Sequence, residues 1–316
     1  MQDKTVSEIG EFELIGQLVS QLSMAQAVEV GPGDDAAVFT TQGNPVVSTD
    51  MMVEGVHFRK DWCTGQNVGR KLIARSLADL EAMGAGLVGC VVAVSIPEDL
   101  PSQWLMDFFE GLKQEAAEAE VSIVGGDLTR GEKIVATATV FGQTEGRFPI
   151  LRGGARPGDI IAYRGRLGWA AAGLAALSRG FRSPREAVNA YRCPVVPYGA
   201  GKQAAEAGAH AMIDVSDGLL ADLRHIARRS NVEIKLASTS FEVAEPLQTV
   251  GSALNQDPLD FVLTGGEDHA LVAAFEPGSV PEGWREIGSV GKAGECGSRV
   301  LVDGAEWDSP GGWTHF

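Results

Sequence analysis

The chain has 316 residues, 44% of them hydrophobic, with 42 acidic against 26 basic side chains and a formal net charge of −16. That length fits two domains with real cores, and that charge argues against a nucleic-acid surface and an anionic membrane. The cysteines Cys63, Cys90, Cys193 and Cys296 form no CxxC pair, so neither a structural zinc site nor a redox pair is expected, and scattered thiols suit a reducing cytosol.

The polar N-terminus leads into no apolar signal region, and the longest apolar stretch, residues 82–96, is glycine-interrupted and too short to span a bilayer. Residues 11–22 carry Phe12, Leu14, Ile15, Leu18, Val19 and Leu22 at helical spacing. Gly31-Pro32-Gly33-Asp34-Asp35 follows, a glycine turn ending in two adjacent carboxylates that repel each other and call for a positive charge. Residues 36–39 read as a short strand, and 45–50 as another ending in the polar tip Ser48-Thr49-Asp50. His57 lies in a loop just beyond. Residues 68–83 make the clearest helix. Asp79 falls inside its apolar half, between Val68 and Leu72. A carboxylate buried there unpaired is costly, so it is expected in a salt bridge or on a metal.

Gly84 to Gly89 matches GxGxxG by letters alone. It follows a helix and precedes the strand 90–96, whereas a dinucleotide loop follows a strand and opens a helix. Residues 104–119 read as a second long helix. Strand 121–124 delivers Gly125-Gly126-Asp127, where two glycines let backbone N–H groups approach phosphate oxygens and the aspartate can hold the counter-cation. Residues 134–141 alternate as a half-buried strand.

A boundary is expected near 145–149. Residues 160–163 start the second domain's sheet, and 168–177 form a glycine- and alanine-rich helix. Gly199-Ala200-Gly201-Lys202 resembles a phosphate-binding P-loop, but Val196 stands where the first glycine belongs and Gln203 where Ser or Thr belongs. Residues 211–213 lead to Asp214-Val215-Ser216-Asp217, and Ser216 or Asp217 is expected to cap the helix that follows. Phe261-Val262-Leu263 runs into Gly265-Gly266-Glu267-Asp268, then a strand over 271–275. The C-terminal Trp313 reads as packing or as a stacking lid.

One device recurs five times: an apolar strand, a small-residue turn, a carboxylate. Each alone reads as a solvated turn aspartate; the repetition points to a multi-metal, phosphate-handling cleft. Phosphoryl transfer asks a protein mainly to position two groups and neutralise charge. Mg²⁺ takes oxygen ligands and keeps several waters, which suits scattered aspartates. There is no His/Cys cluster for zinc and no GxSxG nucleophile elbow.

These motifs, with Gly10-Glu11-Phe12-Glu13-Leu14-Ile15, Gly55-Val56-His57-Phe58, Asp79-Leu80-Glu81-Ala82-Met83-Gly84-Ala85, Gly158-Asp159 and the closing Trp313-Thr314-His315-Phe316, appear in an order that closely resembles the thiamine-monophosphate kinase family over nearly the whole chain. Two stretches depart from the family pattern: Gly168-Trp169 where a polar Gly-Asp-Ser is frequent, and Ser76-Leu77-Ala78-Asp79 where Asn-Leu-Ser-Asp is common.

The resemblance implies an α/β (α+β) protein with the two-domain aminoimidazole ribonucleotide synthetase-like fold, each domain a mixed sheet backed by helices. Residues 1–148 would bind ATP and metal and form a homodimer; residues 149–316 would complete a substrate cleft between the domains of each chain. Asp35, Ser48, Thr49, Asp50, Asp79, Asp127, Asp214 and Asp217 would ligate several Mg²⁺ ions, with Asp50, Asp127 and Asp217 central to catalysis. Gly126, Asp127, Arg152 and Ser216 would contact ATP as co-substrate, and His57, Glu267 and Trp313 would hold thiamine monophosphate. The implied partners are these two small molecules and a second copy of the chain, in the cytoplasm, with no nucleic acid or membrane. Other readings stay open: a sibling ATP-dependent enzyme of the superfamily, a non-catalytic nucleotide or metal sensor, or a metal phosphohydrolase.

Overall fold

The computed structural model describes residues 4–22, 24–33, 35–294 and 297–307. The chain forms two units: Met1–Leu80 with Ala85–Arg147, and Glu81–Gly84 with Phe148–Phe316. Among the described residues no helix is long and apolar enough to cross a membrane.

Unit 1 runs α1 (Val6–Ile9), α2 (Glu11–Val19), β1 (Val28–Val30), β2 (Val38–Phe39), β3 (Pro45–Val53), α3 (Gly65–Ala82), β4 (Gly86–Ile96), α4 (Ser102–Glu118), β5 (Ser122–Arg130) and β6 (Val135–Gln143). The last residues of α3 belong to unit 2. Its main sheet has the order β3-β6-β4-β5, so β3 and β5 are the two edges. Only β4 and β5 are parallel, joined through α4. β6 alternates buried and half-buried along all nine residues, the period-2 pattern of a sheet with one covered face.

Helices α3 and α4 meet through glycines. A Cβ at Gly65 or Gly69 would collide with the α4 backbone at Trp104 and Phe108, and one at Gly111 with the carbonyl of Gln66. Removing three side chains lets the helices approach backbone to backbone, and Leu72, Leu77, Leu105, Phe108 and Leu112 fill the space around the seam.

Unit 2 contains β7 (Ile160–Arg164), α5 (Trp169–Ser178), α6 (Arg185–Arg192), α7 (Ala200–Glu206), β8 (Ala211–Val215), α8 (Leu219–Ser230), β9 (Val232–Leu236), α9 (Glu245–Leu254), α10 (Pro258–Thr264), β10 (Ala270–Phe275), β11 (Arg285–Lys292) and β12 (Arg299–Val302). Six strands form a mixed sheet, β12-β9-β11-β7-β10-β8, antiparallel except for the β9–β12 pair. Strands β8 and β10 are buried at every position, as expected of strands covered on both faces.

Three expectations need correction. Residues 261–263 are helical, not a strand. Asp257 accepts the Leu259 N–H at 2.9 Å and Pro258 opens the helix, a capping signal that outweighs the short apolar run. Ser48-Thr49-Asp50 and Gly125-Gly126-Asp127 lie inside β3 and β5 rather than on turns after them, because β6 and β4 continue the pairing alongside. Helix α8 starts at Leu219 with Gly218 in the capping position, and neither Ser216 nor Asp217 caps it with a side chain.

Adding a methyl at the seam is expected to be costly: Gly69→Ala should destabilise unit 1 by about 1–3 kcal/mol. Gly16→Ala, in a helix position with nothing within 4 Å, should be neutral or stabilising by up to about 1 kcal/mol. Calorimetric melting of both variants checks this; equal melting temperatures would contradict the seam.

Candidate functional site

On the β3 edge, side chains alternate between faces. Ser48 and Asp50 face α3, and α3 answers them one turn apart. Ser48 Oγ donates to Asp79 Oδ2 at 2.5 Å, and Arg75 Nε reaches Asp50 Oδ2 at 3.4 Å. Asp79 thus has the polar partner its place in the apolar half of the helix required. Thr49 points to the opposite face, where its hydroxyl meets Thr139 at 3.1 Å and the Ala138 carbonyl at 3.2 Å. Just past the strand, His57 Nδ1 accepts the Val53 N–H at 3.0 Å, which places the proton of a neutral ring on Nε2.

On the β5 edge, a cleft of about 470 Å³ is lined by Gly33, Asp35, Gly125, Gly126 and Asp127 together with apolar side chains including Ile15, Leu18, Phe108 and Leu112. Asp35 and Asp127 are exposed. A Cβ at Gly126 would collide with the Val92 carbonyl, so glycine is required where the strand passes closest to β4. Asp50 and Asp127 stand on opposite edges of one sheet, three strand spacings or about 14 Å apart.

In unit 2, Asp214 lies in β8, buried, with His269 Nδ1 at 3.1 Å from Oδ2. Ser216 and Asp217 are half-buried in the turn before α8. Asp222, from the first turn of that helix, accepts the N–H groups of Asp217 and Gly218, both at 3.1 Å. Burial, then the charges of Asp214 and Asp217, push the Asp222 carboxyl up to about 7. Glu267 takes a left-handed φ of 68° and donates its N–H to the Ser216 carbonyl at 2.8 Å. Arg152 is exposed. Trp313 and Asp34 lie outside the described residues, as does Cys296.

Two motif resemblances prove to be internal. Gly199-Ala200-Gly201-Lys202 does bind an anion, and the anion is Glu81: its carboxylate accepts the Gly199 N–H at 2.9 Å and the Gly201 N–H at 2.8 Å. Asp268 likewise accepts from Gly168 at 2.5 Å and Ala170 at 2.8 Å, closing the start of α5.

Among the described residues no three His, Cys, Asp or Glu side chains stand together as a ready-made metal site. The donors at the three places above are hydroxyl and carboxylate oxygens, the set that hard divalent cations such as Mg²⁺ take with waters completing the shell. The residues therefore fit Mg²⁺ held by few protein ligands.

Comparison with known proteins places this geometry. Residues 33–144 match the model for AIR synthase related protein, N-terminal domain. The chain is 46% identical to the thiamine-monophosphate kinase of Mycobacterium tuberculosis, covering 100% of this chain and 94% of that one. It is 38% identical to the enzyme of that name from Corynebacterium glutamicum, over 99% and 95%. The chain belongs to the thiamine-monophosphate kinase family. The solved structure of AaThiL complexed with AMPPCP and TMP, 31% identical, covers 99% of both chains with a TM-score of 0.81. The mixed α/β architecture is thus the aminoimidazole ribonucleotide synthetase-like fold.

The departures from the family pattern now have structures. The Ser76 hydroxyl is spent within α3, donating to the Leu72 carbonyl at 2.8 Å. Trp169 lies under the Arg166 guanidinium, 4.7 Å from its ring centre. The residues that the motifs did not reveal are Arg75, Asp222 and His269, each of which acts on a motif residue. Their only sequence signal was a charged or titratable side chain within an apolar-periodic or motif segment.

Asp268→Ala should leave two buried N–H groups unpaired, at about 1–3 kcal/mol each. Burial pushes the Asp268 carboxyl up to about 7 from 3.8. The folded chain therefore keeps a proton that the unfolded chain sheds, and that contribution to stability is full below about pH 4 and is lost as pH rises through about 7. The melting-temperature gap between wild type and Asp268→Ala should be widest near about pH 4 and narrower at about pH 8; a gap that widens with pH contradicts the assignment.

Proposed function

We propose that this protein transfers the γ-phosphoryl group of ATP to thiamine monophosphate, giving thiamine diphosphate and ADP in one direct, Mg²⁺-dependent displacement. The observation that carries the reading is similarity over the whole chain to thiamine-monophosphate kinases, at 46% identity. The complex of a relative with an ATP analogue and thiamine monophosphate supports both substrates.

The β5 cleft suits ATP. Its apolar lining can take the base, while Gly125 and Gly126 would bring bare backbone to the phosphates beside Asp127 and Asp35. Arg152 and Ser216 would contact the nucleotide; His57, Glu267 and Trp313 would hold the thiamine monophosphate. Asp35, Ser48, Thr49, Asp50, Asp79, Asp127, Asp214 and Asp217 would hold Mg²⁺, some through water, with Asp50, Asp127 and Asp217 nearest the reaction. When bound, the ions neutralise the charge of two phosphates that otherwise repel.

No general base is needed. The acceptor is itself a phosphate monoester with a second pKa of about 6, so it is largely ionised at neutral pH. The chain's work is orientation and the exclusion of water as a competing acceptor.

We further propose a homodimer through unit 1. Val47 and Met51 on the β3 edge are 57% and 52% exposed, and both sheet edges lack a neighbouring strand in the main sheet. Two copies related by a two-fold axis would set the β3 edge of one beside the β5 edge of the other. Asp50 of one chain and Asp127 of the other would then share a site that neither chain completes alone. The scattered thiols and acidic charge fit a cytoplasmic enzyme without nucleic-acid or membrane partners.

Incubated with ATP, Mg²⁺ and thiamine monophosphate, the protein should form thiamine diphosphate and ADP in equal amounts. Asp127→Asn should reduce turnover about 100-fold or more, by analogy with loss of one transition-state charge partner, while melting within about 2 °C of wild type, since an exposed carboxylate adds little stability. Release of free phosphate instead of thiamine diphosphate, or full activity in Asp127→Asn, would contradict the reading.

A further inference from the structure

Strands β8 and β10 run antiparallel, with Ala270 opposite Val215 and Leu271 opposite Asp214. Just before β10, His269 adopts a left-handed φ of 52° and donates its N–H to the Val215 carbonyl at 2.9 Å. Left-handed backbone is uncommon outside glycine, and here it accompanies a ring placed directly on the neighbouring strand. The His269 and Asp214 side chains are 2% and 4% exposed, with Nδ1 at 3.1 Å from Oδ2.

The contrast with Asp268 is informative. That carboxylate is equally buried and is satisfied by two backbone N–H groups from the fold itself. Asp214 is met instead by a side chain, the His269 imidazole, on Oδ2.

We propose that His269 is a positioning residue for metal binding: its Nδ1–H bond to Oδ2 fixes the rotation of the Asp214 carboxylate so that the other oxygen meets Mg²⁺. This rests on the reading of Asp214 as a metal ligand. Partners that orient ligating carboxylates are worth about 10- to 100-fold in metal affinity. Nothing in the sequence motifs assigns His269 this role.

The test compares three variants of the full chain. His269→Phe keeps a ring and removes the donor. His269→Asn keeps an amide donor at the Nδ1 position. His269→Gln carries its amide out to the Nε2 position, and replaces the Phe variant if that one does not fold. Mg²⁺ is titrated against each nucleotide-free protein, read by melting temperature and by calorimetry, and separately against initial rate. The Phe or Gln variant should need about 10- to 100-fold more Mg²⁺, and the Asn variant should stay within about three-fold of wild type. A folded Phe or Gln variant that titrates like wild type overturns the proposal, and so does an Asn variant as weak as Phe. Asp214→Asn separates the two layers of the argument: wild-type Mg²⁺ titration in that variant removes the metal assignment itself. Failure of wild type to make thiamine diphosphate would fall on the function reading and leave the Mg²⁺ comparison intact.

Discussion

A carboxylate withdrawn from water must be met by donors or by a cation, and both units are arranged under that constraint. Glu81 and Asp268 are each met by two backbone N–H groups at a helix start, and burial pushes the carboxyls of both upward. They are internal carboxyls, built into the fold. Asp79, Asp50 and Asp214 are met by side chains instead, with Ser48, Arg75 and His269 among their partners. Asp35 and Asp127 remain exposed at the mouth of a cleft.

Much of this was readable in the sequence, for physical reasons. Period-2 alternation in β6 follows from one covered face and survives folding, whereas α3 is covered beyond its apolar half, with Lys71 and Glu81 buried as well. The position of Asp79 in that apolar half announced a partner. What could not be read were partners distant in the chain. Glu81 occupies the Gly199-Ala200-Gly201 turn across more than a hundred residues, which is why a loop with phosphate-binding letters has no vacancy for phosphate. Gly125 and Gly126 suggested a turn, yet pairing with β4 holds them extended. The helix at residues 258–264 was missed because a short apolar run fits either period, and the deciding signal was Asp257-Pro258 at its start. The roles of individual site residues came from resemblance to a family, since spacing alone does not tell a ligand from a solvated aspartate.

The chemistry follows from the charges. In the proposed reaction two phosphate-bearing anions are brought together in line, and the oxygen donors of the strands and of one long helix would recruit the cations that offset their charge. Within one copy of unit 1, however, the donors of β3 and those of β5 stand at opposite edges of the sheet. The account therefore makes the shared cation site a property of the pair of chains.

Subunit exchange between two inactive variants tests that claim most directly. Asp50→Asn and Asp127→Asn homodimers are mixed, exchange is verified by native mass spectrometry, and thiamine diphosphate formation is measured. The account predicts that activity returns to about a quarter of wild type, because half the dimers are mixed and one of their two sites is intact. A fully exchanged mixture that stays as inactive as its parents would contradict it.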